Sequence, residues 1–97
     1  LHASVFWSQQ AVEKSLKAVI IGTIGELIKI HDLVILGRKA DLPENLLKNC
    51  ERLSKVYIES RYGFLDSEIP AEKFQKKDAS EFLKIAREVV KWCRKKI

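Results

Sequence analysis

The chain has 97 residues, of which 46% are hydrophobic and 32% charged, with a net charge of +5. This length can build one hydrophobic core but not two, so we expect a single domain over residues 1–97. No apolar run reaches the roughly 20 residues that cross a bilayer and no signal peptide is recognisable, so we expect a cytoplasmic protein that does not contact the membrane.

The first predicted helix begins at or before Leu1 and ends near Ile24, where Gly22 and Gly25 loosen and cap it. Apolar residues recur along it at helical spacing. We expect this stripe to be buried: Val5, Val12, Leu16, Val19 and Ile20. The pattern places five polar side chains on the opposite face, in solvent: Gln9, Gln10, Glu13, Lys14 and Lys17.

A short second helix is predicted over residues 32–38. Asp32 can accept backbone N–H bonds at its first turn, and Gly37 is expected to end it. Leu33, together with Ile35 or Leu36, is expected to pack inward.

The third predicted helix follows Asp41-Leu42-Pro43, with Asp41 as its cap and Pro43 in the first turn. It is expected to end at Gly63. Its apolar stripe contains Leu46, Leu47, Cys50, Leu53, Val56 and Tyr57.

Residues 63–77 read as a connector with four apolar anchors, Phe64, Leu65, Ile69 and Phe74. Asp78 and Glu81 have the spacing of a capping box that opens the last helix. The side chains predicted to be buried in that helix are Phe82, Leu83, Ala86, Val89, Val90, Cys93 and Ile97. No segment shows the alternation of a strand, so we predict an all-α fold, a small up-and-down helical bundle.

Cysteine and histidine spacing gives no indication of a metal site. Cys50 and Cys93 lie on apolar stripes, as buried free thiols do, and the two histidines are not spaced for ligation. We therefore expect no metal and no cofactor. Phe6, Trp7 and Trp92 are interpreted as core residues or as part of a dimer interface.

Four segments in this order resemble the HEPN family (higher eukaryote and prokaryote nucleotide-binding domain). They are SQQAVEKSLKAV at 8–19, KIHDL at 29–33, YIESRYG at 57–63 and DASEFLKIAREVVKWC at 78–93. Gly63 stands where the family usually has Pro. The resemblance implies a dimeric bundle of four to five helices. Because the chain starts with Leu and contains no Met, we expect the family's first helix to lie upstream of Leu1.

The resemblance also implies a function. Small prokaryotic members are commonly paired with a minimal nucleotidyltransferase in a toxin–antitoxin-like system, and many members are metal-independent ribonucleases with an Arg-x(4–6)-His motif. That motif is absent, because no His follows Arg61 and no Arg precedes His31. We therefore favour a non-catalytic module with no catalytic residues, which binds a nucleotide or RNA, partners a nucleotidyltransferase, or does both. The alternatives are a divergent ribonuclease and a helical scaffold or dimerisation protein without a ligand.

Two groups of residues are candidates for nucleotide or phosphate binding. Lys14 and Lys17 share one helix face and could hold a phosphate, although exposed lysines more often form only weak ion pairs. In the second group, Arg61 could bind phosphate while Tyr57 or Tyr62 stacks on a base.

The second group also has structural interpretations. Arg61 could instead pair with Glu59, Asp66 or Glu13 while the tyrosines fill the core. His31 either donates a structural hydrogen bond or contacts a ligand beside Arg61.

Overall fold

Four helices make up the part of the chain that the structure, a computed structural model, describes: α1 (His2–Ile24), α2 (Leu33–Lys39), α3 (Glu44–Asp66) and α4 (Lys76–Lys96). The backbone is described for residues 2–66 and 76–97, and the side chains for residues 4–58 and 79–97. Within these ranges there is no strand, so the predicted all-α bundle is confirmed. None of the described helices has the length and apolar character needed to cross a membrane.

The first helix, α1, lies at the centre of the bundle and packs against α2, α3 and α4, most extensively against α4. Its predicted apolar stripe is confirmed, since all five residues are at most 2% exposed. Because neighbours cover more than one face, α1 also buries polar residues. Gln9 is 3% and Glu13 is 6% exposed, so the prediction that they lie in solvent is wrong.

Both ends of the segment between α1 and α2 are capped as the sequence predicts. Gly25 has a φ of 79°, and its N–H donates to the carbonyl of Ile21 at 3.0 Å, which closes the last turn of α1. At the start of α2, Asp32 Oδ1 accepts from the N–H groups of Val34 and Ile35 at 2.9 and 3.1 Å. The six residues between these caps, 26–31, are therefore held at both ends.

The end of α2 differs from the prediction. Gly37 lies inside the helix, where an added Cβ would come within 2.7 Å of Leu47 Cδ1. Its missing side chain thus permits the close approach of α2 to α3. The helix is closed instead by Asp41 at a φ of 61°, with the Leu42 N–H donating to the Gly37 carbonyl at 2.9 Å. This is a Schellman-type end, and Asp tolerates the left-handed conformation better than most residues.

The bounds of α3 also differ from the sequence prediction. Asp41 does not cap it, because the Pro43 carbonyl accepts the first helical bond, from the Leu47 N–H at 2.9 Å. The helix continues through Gly63 to Asp66. The predicted connector anchors, Phe64, Leu65, Ile69 and Phe74, have side chains outside the described residues.

The last helix begins at Lys76, two residues before the predicted start, so Asp78 lies within its first turn and the predicted capping box is wrong. Glu81 instead forms a two-pronged ion pair with Arg52 of α3, in which Nη2 lies 3.0 Å from Oε2. Leu83 and Ile97 are 39% and 76% exposed rather than buried. The buried face of α4 consists of Phe82, Ile85, Ala86, Val89 and Cys93.

The aromatic residues and the cysteines differ in how deeply they are buried. Phe6 and Trp7 are 42% and 65% exposed, so their interpretation as core residues is wrong, whereas Trp92 is half-buried against the core. Cys50 and Cys93 are buried and free, as predicted. Burial raises the pKa of the Cys50 thiol to about 12 and that of Cys93 to about 11, which keeps both protonated and unreactive.

Candidate functional site

A cleft of about 380 Å³ lies where α1, α3 and the segment before α2 meet. Its volume is at the lower end of the range for small-molecule sites. Most of the residues that line the cleft have a polar group in the side chain. The cleft is lined by Gln9, Gln10, Glu13, His31, Ser54, Tyr57 and Ile58.

The Glu13 carboxylate is the hydrogen-bonding centre of this cleft. Oε2 accepts from Lys17 Nζ at 3.2 Å and lies 2.9 Å from His31 Nδ1, while Oε1 accepts from Gln9 Nε2 at 3.4 Å. Gln9 Nε2 also lies 3.4 Å from the His31 carbonyl oxygen. These bonds connect three successive turns of one α1 face to the segment that leads into α2.

The bond to Glu13 determines which nitrogen of His31 carries a proton. An ionised carboxylate only accepts hydrogen bonds, so Nδ1 must be the donor. In the neutral ring, Nε2 then has a free lone pair, and it forms no hydrogen bond with another described residue. The side chain is 78% exposed, so Nε2 is available to a ligand.

Burial by itself would raise the pKa of the Glu13 carboxyl. The hydrogen bonds from His31 and Lys17, together with the charges of these side chains, outweigh that effect and hold the pKa below its usual 4.5. The carboxylate is therefore charged at neutral pH, and the site carries an anion that is largely shielded from solvent.

We expect this ion pair to make folding stability sensitive to acid. A carboxyl whose pKa is lowered in the folded state stabilises the protein above its unfolded pKa of 4.5, and this contribution is lost as the pH falls through the folded value. Urea unfolding between about pH 3 and pH 7 should show this decline, and Glu13→Gln should flatten it. An equally steep decline in Glu13→Gln would contradict the assignment.

The structure brings only some of the predicted binding residues together. His31 and Tyr57 line the cleft. Lys17 is 20% exposed and paired with Glu13, and Lys14 is exposed and does not line the cleft. Arg61 and Tyr62 follow Tyr57 on α3, but their side chains lie outside the described residues.

Sequence reasoning did not select Gln9, Gln10, Glu13 or Ser54 for this site. One signal was present, since Gln9, Glu13 and Lys17 are four residues apart and therefore adjacent on one helix face. An acid between an amide and an amine at this spacing is typical of a hydrogen-bonded row. What the spacing does not indicate is that the row is buried.

Comparison with known families agrees with the all-α fold. The family model of the HEPN domain matches residues 1–96. The chain belongs to the HEPN family. No curated protein and no solved structure shows a significant match to it. Membership indicates, in general terms, a module related to nucleotides or RNA.

The residues that line the cleft of this HEPN domain can form hydrogen bonds and stacking contacts. Among the described residues, no group of three His, Cys, Asp or Glu side chains could hold a metal ion. Gln9 is buried, and its amide is already bonded to Glu13, to the His31 carbonyl and to Gln10. The Gln10 amide and the Ser54 hydroxyl can both donate and accept, which suits the edge of a nucleobase.

Proposed function

We propose that this HEPN domain is a non-catalytic cytoplasmic module that binds a nucleotide or single-stranded RNA in the His31–Tyr57 cleft. The observation that carries the proposal is the Glu13–His31 hydrogen bond, which fixes an exposed imidazole next to Tyr57 in a polar cleft. The net charge of +5 favours the approach of an anionic ligand.

The base, rather than the phosphate, is the part of the ligand that the described cleft suits best. Tyr57 packs in part against the core and also lines the cleft, where its ring can stack on a base, and His31 Nε2 can contact a base edge or a phosphate oxygen. No lysine or arginine is among the described lining residues, and Glu13 is already neutralised by Lys17. We expect the phosphates to extend along α3 toward Arg61.

Binding should therefore depend on the Tyr57 ring. We expect Tyr57→Ala to weaken the binding of a fluorescein-labelled RNA oligonucleotide by about 1–3 kcal/mol, the usual contribution of one stacked base. Fluorescence anisotropy measures this, and Tyr57→Phe, which keeps the ring, is the matched control. His31→Ala should weaken binding as well.

Two results would contradict the proposal. One is the absence of binding for both mononucleotides and RNA. The other is equal affinity in the wild type and in Tyr57→Ala. A shallow dependence on salt would indicate that few phosphates are contacted, which is what the described cleft predicts.

A divergent ribonuclease is the second candidate function, and the Glu13–His31 pair is the observation that favours it. A carboxylate that holds one imidazole nitrogen leaves the other poised for proton transfer. Incubation of purified protein with RNA tests this candidate. If cleavage is unchanged in the His31→Ala, Arg61→Ala double variant, the activity does not belong to this site.

The protein partners that we propose are a second copy of the chain and a minimal nucleotidyltransferase in a toxin–antitoxin-like pair. The proposal rests on the resemblance of the four segments to small prokaryotic HEPN members. Co-expression with the genomic neighbours, followed by a high-salt wash, tests it. A homodimer that retains neither a nucleotidyltransferase nor nucleic acid would favour a scaffold instead.

A further inference from the structure

A second and larger cavity, of about 670 Å³, forms a groove between α1 and α4. Its walls are mainly apolar, with Trp7 and Ala11 on α1 and Leu83, Ala86 and Val90 on α4. Trp7 and Leu83 are 65% and 39% exposed, so the groove leaves large apolar side chains in contact with water. A concentration of such side chains in one groove marks an interaction surface more often than isolated exposed residues do.

The floor of the groove contains an unsatisfied polar atom. Ser8 is 1% exposed, and its Oγ has no hydrogen-bond partner among the described residues. A buried hydroxyl group without a hydrogen-bond partner is uncommon in protein interiors.

One edge of the groove carries three cations, Arg87, Lys91 and Arg94. They are four and three residues apart on α4, so they form a row along one face of the helix. None of them has an ion-pair partner within the described part of the chain, in contrast to Arg52, which is paired with Glu81. Like charges at this spacing repel one another, and carboxylates opposite them would relieve that repulsion.

The dimensions of the groove suit a helix. From Leu83 to Arg94 the wall follows α4 for twelve residues, a rise of about 16 Å or three helical turns. Carboxylates at positions i, i+4 and i+7 of an incoming helix would repeat the spacing of the three cations. An apolar stripe beside those carboxylates would fill the groove, which is a recurring mode of peptide recognition.

The groove is less suited to two other occupants, a second copy of the chain and a nucleic acid strand. In a symmetric dimer the same patch faces itself, so a second copy would place the row of cations close to an identical row. A nucleic acid strand would meet walls that are aliphatic except for Trp7, with few rings on which bases could stack. An acidic amphipathic helix satisfies both the apolar walls and the basic edge.

We propose that the α1–α4 groove docks an amphipathic helix of a partner protein, with its apolar face against Trp7, Leu83 and Val90 and its carboxylates facing Arg87, Lys91 and Arg94. This proposal does not depend on ligand binding in the His31–Tyr57 cleft. It also does not require the partner to be a nucleotidyltransferase.

The probe is a fluorescein-labelled helical peptide in which leucines follow the i, i+3, i+4, i+7 pattern. Glutamates at i+1, i+5 and i+8 lie beside the leucines and repeat the spacing of the three cations. Fluorescence anisotropy should show that it binds, and that a peptide with lysine in place of glutamate binds at least about tenfold more weakly. The double variant Arg87→Glu, Arg94→Glu should bind the acidic peptide at least about tenfold more weakly than the wild type does.

The matched control is Lys84→Glu, Lys95→Glu, which makes the same change in net charge at exposed positions of α4 outside the groove. It should leave the affinity within about twofold of the wild type, because exposed charges outside the contact interact weakly with the peptide. Trp7→Ala should weaken binding at both low and high salt, since it removes apolar contact area. Far-UV circular dichroism shows whether each variant is folded.

Several outcomes would overturn the proposal. These are no binding of the acidic peptide up to about 1 mM, equal binding of the lysine peptide, and equal losses in the groove and control variants. Light scattering that shows a dimer dissociated by Trp7→Glu would assign the groove to a second copy. Displacement of the peptide by polyuridine, dependent on Arg87 and Arg94, would assign it to RNA.

Discussion

Replacing Glu13 with alanine is expected to lower the free energy of unfolding by about 3 kcal/mol. The substitution removes the shared acceptor of three donors, Lys17 Nζ, His31 Nδ1 and Gln9 Nε2. Lys17 is only 20% exposed, so it would be left as a poorly solvated charge without its partner. Most of the loss in unfolding free energy arises because these donors are left without an acceptor, rather than from the loss of the carboxylate itself.

Glu13→Gln should cost less than Glu13→Ala, about 1–2 kcal/mol. Its amide keeps the size of the side chain and one acceptor oxygen, but the NH₂ group would face a donor, because all three partners donate. The matched control is Glu88→Ala, at an exposed glutamate of α4. Urea unfolding measures all three variants. If Glu13→Ala cost no more than Glu88→Ala, Glu13 would not anchor the segment before α2.

The same substitution bears on the proposed function. Loss of Glu13 removes the hydrogen bond that fixes the His31 tautomer. We expect Glu13→Gln to weaken RNA binding if His31 Nε2 contacts the ligand. Binding measured at a temperature where the variant is fully folded separates this effect from destabilisation.

Replacing Leu16 with alanine should have a comparable or larger effect, with a loss of about 3–4 kcal/mol. Leu16 is 0% exposed and lies on α1, the helix that contacts all three others. The substitution removes buried methyl groups and leaves a cavity that neighbours on several sides fill poorly. Since small domains are stable by only about 5–15 kcal/mol, this single change should remove a large fraction of the total.

The control for Leu16 is Ile21→Ala on the same helix. Ile21 is 47% exposed, so its truncation should cost less than about 1 kcal/mol, with part of the loss offset by the higher helix propensity of alanine. Thermal or urea unfolding measures both variants. Equal losses at the two positions would mean that the outer face of α1 is buried in solution, for example in a dimer.

Features that depend on neighbours along the chain could be predicted from the amino-acid sequence. Val5 to Ile20 repeat at the period of a helix, and one side of a helix that repeats in this way is buried in any bundle. Asp32 caps α2 and Gly25 closes α1 because both interactions join residues at most five apart. The ordered segments identified the family for the same reason, since motifs are read along the chain.

The residues on the second buried face of α1 could not be predicted from the sequence, because their burial depends on how the helices pack. A helix covered on several sides has no single solvent face, so periodicity placed Glu13 in water although packing buries it. Glu13 and His31 are 18 residues apart, and both then meet Tyr57 of α3 in one cleft. No local sequence pattern predicts that these three residues lie close together, because their proximity depends on how the helices pack.

The dependence on packing also explains why some helix ends and some exposed side chains were predicted incorrectly. Gly37 is suited to a helix end by its own chemistry, but the approach of Leu47 makes it an interior contact instead. Glu81 has the spacing of a capping residue, yet Arg52 on α3 is within reach and pairs with it. Leu83 follows the apolar pattern and Trp7 is interpreted from the sequence as a core or interface residue, but both line an open groove. Helical period and caps are local properties, whereas burial depends on which helices pack against each face.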